Sequence, residues 1–415
     1  MIPEFLSFSG HPFPAPPEQD QPFPTLGETY DYLAAFARPL LESGKIRLHH
    51  EVMDAAEIQG EEAGGWRVVM IDWSKGDEAG ERKEERWDAV VVTTVWYDNA
   101  YYPKVEGLDD VQQTGRVRHA KTWRGPSGYE GKVGPHVSLT RARAEPLQRV
   151  VVIGNANSAN EMAAQLTPVA QLPVYRSTRR VSIFPSLPDD RIEDVGPVVR
   201  YSQNTNGKIT VHLQDRTIDD VDDVLFGTGY YPDVPYLRVL QPTDSTSNTD
   251  IAPRPLVPLT DRRIQPVRVP SLYRHILYAH NTSLAFIGAL VSFIPFAMAD
   301  LTSTWLAWVW SPPSSRTGIN IPPTSEARLA DEQARLQTLH QLRSETDTPS
   351  NLVSFHFLAR HELAYAKETR AEIIQAAPEL GEVLAPWDDE QDARRFVMYG
   401  TKLDSLYVLA GRKKE

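Results

Sequence analysis

The sequence predicts an α/β protein, on three observations. An apolar run, Val150-Val151-Val152-Ile153, breaks at Gly154 into Asn155-Ala156-Asn157-Ser158-Ala159 and then into a helical pattern over Asn160 to Leu166. A second apolar strand, Leu172 to Tyr175, follows and ends in Arg176-Ser177-Thr178. Further strand-like segments flank this unit, and the chain from Ser325 onward reads as mostly helical. A strand, tight turn, helix and second strand in this order outline a Rossmann-like, dinucleotide-binding unit.

The elements follow in order. Thr25-Leu26-Gly27-Glu28 has capping-box spacing ahead of a helix from Glu28 to Leu41. Ile46 to Val52, Trp66 to Trp73 and Trp87 to Thr94 read as a strand and a β-meander, the last two joined by a charged Lys75 to Arg86 turn. Ala89-Val90-Val91-Val92 is apolar on both faces, so a central strand is expected there. Ile209 to Leu213 and Asp222 to Phe226 read as strands, the second leading into Gly227-Thr228-Gly229-Tyr230. Pro242 to Pro270, rich in Pro, Thr, Ser and Asp, reads as a long surface excursion. Leu284 to Trp310 carries one charge, Asp300, and Pro295 interrupts it; a strand to Val291, a loop and a helix from Ala297 explain it better than a membrane span. Ser325 to Leu342 and Phe357 to Ala376 are expected helices.

The central unit has a physical logic. Gly154 begins the tight turn, and the backbone N–H groups and dipole of the first helical turn, Asn157 to Asn160, suit a pyrophosphate. Small residues at Ala156 and Ala159 let backbone approach backbone, although Ala156 puts a methyl group where the second glycine is usual. Ser158 and Asn160 lie in that turn, and Glu161 either faces the nucleotide or is an acid that stabilises the helix N-terminus. The residue ending the second strand reads the ribose. Arg176, 22 positions after Gly154 and trailed by Ser177, suits a 2′-phosphate, which points to NADP(H). Arg179 and Arg180 either strengthen that site or are solvated surface charge.

Composition bounds the rest. A chain of 415 residues is too long for one compact core, and 41% hydrophobic with 24% charged residues is globular. A net charge of −12 argues against a nucleic-acid partner. Without a single Cys, disulfides, thiol catalysis and Cys-type metal sites drop out. His49-His50 and the His356/His361 pair lack a carboxylate partner at ligand spacing, so packing is expected of them and no metal site. Met1 to Phe5 shows no secretory pattern and the C-terminal tail is short and polar, so a cytoplasmic protein without an integral membrane span is expected.

In order along the chain, several motifs resemble the flavin-containing monooxygenases. Pro3-Glu4 through Phe8-Ser9-Gly10-His11-Pro12-Phe13-Pro14 is similar to the family's P-x-E…F-x-D-F-P-F-P stretch. Val90 to Thr94 with Tyr97, Pro103 and Gly107-Leu108 resembles VVxATGxYxxPxxPxxPGL, and Gly115 to His119 with Trp123 and Gly131-Lys132 resembles the family fingerprint and the F-x-G-K after it. Phe226 to Tyr230 with Pro235-Tyr236-Leu237 is similar to TGY…PFL, and Leu284 to Gly288 with Ile294-Pro295-Phe296 and Trp305 to LAFIG…PF. The chain departs at Val95 (Gly in the family), Ala120 (Ser), Asp300 (Glu) and Thr302 (Gln).

The resemblance implies two interleaved dinucleotide-binding domains: a discontinuous FAD-type domain, 1–146 and 226–415, and an inserted NADP-binding domain, 147–225. It implies that NADPH reduces FAD and that O2, reacting at flavin C4a, oxygenates N or S of a small-molecule substrate. Thr94 and Gly229 are then candidate FAD contacts, His119 a structural tie, and no catalytic side chain is assigned. The family's first glycine-rich fingerprint should precede Met1, so an incomplete FAD domain with an exposed apolar face is expected. Two alternatives stay open, a Baeyer–Villiger monooxygenase and a non-catalytic NADP-binding remnant.

Overall fold

A computed structural model of the chain describes residues 6–15, 23–60, 65–76, 79–129, 147–180, 184–242, 253–311, 319–345 and 354–412. Pro3-Glu4, Gly131-Lys132 and residues 243–252 of the expected excursion lie outside them. The first half runs α1 (Leu26–Glu42), β1 (His50–Glu57), β2 (Trp66–Asp72), β3 (Glu81–Trp87), β4 (Val90–Val92), α2 (Leu108–Gln112), β5 (Val117–His119), β6 (Arg149–Ile153), α3 (Asn157–Leu166), β7 (Gln171–Ser177), β8 (Ile192–Val195) and β9 (Val198–Gln203). The second runs β10 (Ile209–Leu213), β11 (Thr217–Val221), β12 (Asp223–Phe226), β13 (Leu237–Leu240), β14 (Leu256–Pro258), β15 (Leu272–Tyr273), β16 (Leu277–Tyr278), β17 (Leu284–Phe286), α4 (Pro295–Trp310), α5 (Ser325–Ser344), α6 (Glu362–Ala376) and α7 (Asp389–Leu409).

The chain forms two compact units, residues 1–96 with 231–393, and 97–230 with 394–415. The unit that holds β6 and α3 thus takes in more than the expected 147–225, including the end of the C-terminal helix.

In the first unit, Thr25 caps α1 as its spacing demands: its Oγ1 accepts from the Glu28 N–H while Glu28 accepts from the Thr25 N–H. Strands β14-β13-β1-β2-β3 form one sheet and β15-β16-β17-β4 another. The charged segment expected to be a turn contains strand β3, whose Glu-Arg-Lys-Glu-Glu-Arg-Trp sequence is mostly exposed and pairs residue for residue with β2. With one described neighbour, an edge strand faces solvent and carries charges that discourage further pairing, which hides it from hydrophobic periodicity. Strand β4, expected to be central, pairs only with β17 among the described residues, and Val91 is 42% exposed. Leu26, Tyr30, Leu33 and Leu40 are also exposed along α1.

The core between the two sheets gathers Trp66, Val92, Val95, Leu237, Tyr278 and Phe286. Phe8 stacks on Phe296 and Tyr32, and Ser9 donates to the Asp300 carboxylate, which fastens the N-terminal segment to α4. The expected apolar stretch resolves into β17 and α4, and no helix among the described residues is long and apolar enough to cross a membrane.

The second unit is a parallel sheet, β5-β12-β6-β7-β8, with an antiparallel sheet β11-β10-β9 beside it. Val150 and Val152 of β6 pack under Met162, Ala163 and Leu166 of α3, while Val151 and Ile153 pack against Ile209, Val211 and Tyr201. Burial on both faces explains why β6 reads as an unbroken apolar run.

Candidate nucleotide-binding site

Strand register sets the site. His119, Phe226, Ile153, Ser177 and Val195 stand abreast at the carboxyl ends of the five parallel strands, the edge where α/β sheets bind ligands. From that edge the chain leaves β6 through Gly154, held at φ +123° with its N–H donating to the Ser177 carbonyl at 3.0 Å. A Cβ at Gly154 would lie 2.6 Å from the Gly227 carbonyl oxygen, and one at Gly227 would lie 2.7 Å from both the N and the Cβ of Ala159. Gly154, Gly227 and Ala159 are therefore a single close approach of two strand ends to one helix start. Sequence reasoning singled out Gly229 and passed over Gly227. A glycine directly following an apolar strand that pairs with the turn strand was the available signal.

Helix α3 opens without a side-chain cap: Ala156 is extended and has no hydroxyl or carboxamide to offer. The first-turn N–H groups of the exposed Asn157 and Ser158 receive no side-chain cap, and the positive end of the dipole lies behind them. Asn157 and Ser158 are exposed, while Ala159 and Asn160 are buried. Two asparagines brace the turn. Asn155 donates to the Arg180 carbonyl, and Asn160 Nδ2 donates to the Pro185 carbonyl at 2.8 Å.

The side chains at the end of β7 are already engaged. Arg176 is only 4% exposed; its Nε and Nη2 donate to the two carboxylate oxygens of Asp194 at 2.6 and 2.7 Å, and its Nη1 donates to Asn160 Oδ1 at 2.9 Å. Ser177 Oγ donates to the Gly196 carbonyl at 2.9 Å. Glu161 pairs with Lys402 of α7. Beyond the strand end Arg179 is exposed, and burial, with Arg179 beside it, holds the Arg180 guanidinium below its ordinary range.

His119 is buried against Tyr102 and Tyr230, and its Nδ1 accepts from the Lys121 N–H at 3.1 Å, capping the short turn after β5. Burial pushes this imidazole below its usual range, partly offset by the Gly229 carbonyl. Trp123 Nε1 donates to Gln165 Oε1 at 2.8 Å, tying that turn to α3.

Thr94 belongs to the first unit, is exposed, and shares a 2.9 Å hydrogen bond with the Tyr236 hydroxyl. Gly229 belongs to the second, at φ +85° with open space where a Cβ would stand. His356 is buried in packing, and no group of three or more His, Asp or Glu among the described residues could hold a metal.

The residues of the second unit thus fit a dinucleotide: an uncapped helix start, a glycine turn that a Cβ would fill, and cations at the ribose end. For a flavin the fit is partial. Among the described residues of the first unit, no strand passes through a glycine turn into a pyrophosphate-holding helix comparable to α3.

No family model matches the chain. A curated relative named "Flavin-containing monooxygenase FMO GS-OX-like 3", from Arabidopsis thaliana, is 27% identical over 297 residues, 70% of this chain and 55% of that protein. The chain therefore spans about half the length of the curated relatives it matches. Among solved structures, S-allyl-L-cysteine S-oxygenase from Allium sativum aligns over 97% of this chain and 82% of its own, with TM-score 0.61 and 21% identity. Cyclohexanone monooxygenase from Rhodococcus sp. Phi1, bound to NADP+, aligns over 89% and 88%, with TM-score 0.53 and 13% identity.

Proposed function

We propose, from the premise that this chain is a relative of the flavin-containing monooxygenases, that it serves NADPH- and FAD-dependent monooxygenation of a small molecule by O2 at a nitrogen or sulfur atom. The observation that carries the reading is the Gly154–Gly227–Ala159 close approach beneath the uncapped start of α3. That arrangement has a use in bringing backbone N–H groups up to a pyrophosphate.

The chain's own residues bind and orient. The N–H groups of Asn157 and Ser158 receive the pyrophosphate, Asn155 and Asn160 keep the turn in shape, and Arg176, paired with Asp194, stands at the ribose end. A bound nicotinamide supplies hydride, and the protein supplies its position and the exclusion of water.

The relatives' names favour sulfur as the oxygenated atom. The presence of one dinucleotide cradle among the described residues favours a second reading, a nucleotide-binding protein without turnover. Purified chain incubated with NADPH, added FAD and a thioether decides between them. Formation of the sulfoxide coupled to NADPH consumption supports the oxygenase. Conversion of a cyclic ketone to its ester without sulfoxide moves it to the Baeyer–Villiger class. Saturable NADP+ binding with neither product supports the non-catalytic reading.

A further inference from the structure

We infer that Asp194 is a specificity-determining residue of the nucleotide site, an internal carboxylate that competes with the ribose 2′-phosphate for Arg176. The inference rests on the reading that α3 and its turn bind a dinucleotide. Strand β8 pairs in parallel with β7, and the register sets Arg176 directly opposite Asp194. The two side chains meet as a fork on a fork, through Nε–Oδ1 at 2.6 Å and Nη2–Oδ2 at 2.7 Å, the geometry a guanidinium uses for a phosphate. A third donor, Nη1, is taken by Asn160.

Exposure decides which group a ligand meets. The Arg176 side chain is 5% exposed and Asp194 is 55% exposed, so the carboxylate is the solvent-facing member of the pair. A 2′-phosphate arriving at the end of β7 meets that anion first and gains the Arg176 fork only by displacing it. An unphosphorylated ribose pays no such exchange. Asp194 therefore lowers the preference for the phosphorylated dinucleotide that Arg176 alone would give.

The test uses two fragments that differ only in the phosphate: adenosine 2′,5′-bisphosphate and adenosine 5′-monophosphate, titrated calorimetrically into the full chain. The readout is the ratio of their dissociation constants. Asp194→Asn keeps an acceptor for Arg176 and removes the charge. It should raise the preference for the bisphosphate about tenfold, the worth of one charge-assisted contact, and leave the monophosphate unchanged. Asp194→Ser serves the same purpose if the Asn variant melts early. In Arg176→Gln/Asp194→Asn the gain should vanish, because it passes through the guanidinium. An unchanged ratio in both single variants overturns the inference, as does a gain that persists without Arg176. A structural effect of the substitution weakens both fragments together and also counts against it. Wild-type chain that binds neither fragment contradicts the nucleotide reading itself, a different outcome from an unchanged ratio.

Discussion

Lys402, on the C-terminal helix α7, forms an ion pair with Glu161 at the start of the second turn of α3. Around it Leu406 and Ala410 pack on Ala164 and Leu187, Arg191 donates to the Ala410 carbonyl, and Arg412 reaches Asp189 and Asp190. The end of the chain is thus fastened to the helix whose start would receive a pyrophosphate. Glu161 is an anion within one turn of that site, and Lys402 cancels it. Lys402→Met should weaken NADP+ binding about two- to fivefold, the scale of one partly exposed charge near a helix N-terminus. Glu161→Gln/Lys402→Met should restore it, and titration of the three proteins checks this.

Gly227 has no room for a side chain. Gly227→Ala places a methyl group against backbone and Cβ of Ala159, so it should cost roughly 1–3 kcal/mol of stability and abolish nucleotide binding. Gly229→Ala, with open space at its Cβ but φ +85°, should cost less and leave NADP+ binding in place. Thermal melts and NADP+ titrations separate the two.

Arg176→Ala should lose the preference for NADPH over NADH, by about tenfold. Comparing dissociation constants for the two dinucleotides checks it; unchanged discrimination would remove Arg176 from the ribose site.

His275 and His356 meet Nδ1 to Nδ1 at 3.0 Å in the buried part of the first unit, and His356 Nε2 accepts from the Val269 N–H at 3.0 Å. That bond makes His356 the Nδ1–H donor and His275 the acceptor, an arrangement that requires both rings neutral. Burial, then Arg335 and Arg274, pushes His275 down to about 3; burial, then His275, Arg268 and Arg335, pushes His356 well below its usual range. The unfolded chain takes up these protons near the ordinary histidine value and the folded chain does not. Stability is therefore full above pH 6.5 and falls as pH drops from there towards 3, by about 1.4 kcal/mol per pH unit for each ring. Melting temperatures measured from pH 7.5 to 5 should show this slope. His275→Asn, tolerated at φ +58°, should remove that ring's share of the slope.

How much of this was legible in the sequence depended on what each element answers to. The β6–α3–β7 unit was readable because its signals are local: four apolar residues, a glycine that must turn, and helical spacing directly after. Thr25 and Glu28 announced α1 for the same reason. Strands β3 and β8 were not readable, because their charged residues face solvent or a specific partner and break the apolar pattern. With β8 went Asp194, and with it the fact that Arg176 is already paired. The Lys402–Glu161 contact joins residues 241 positions apart, which no periodicity encodes.

The central claim is that residues 149–180 hold a dinucleotide at the start of α3. Calorimetric titration of the full chain with NADP+, beside Gly154→Val, tests it most directly, since a side chain there would drive into the Gly227 carbonyl at a φ of +123°. Saturable one-to-one binding by the wild-type chain and its loss in the variant are expected. No saturable binding by a folded wild-type chain, or equal binding by both proteins, would contradict it.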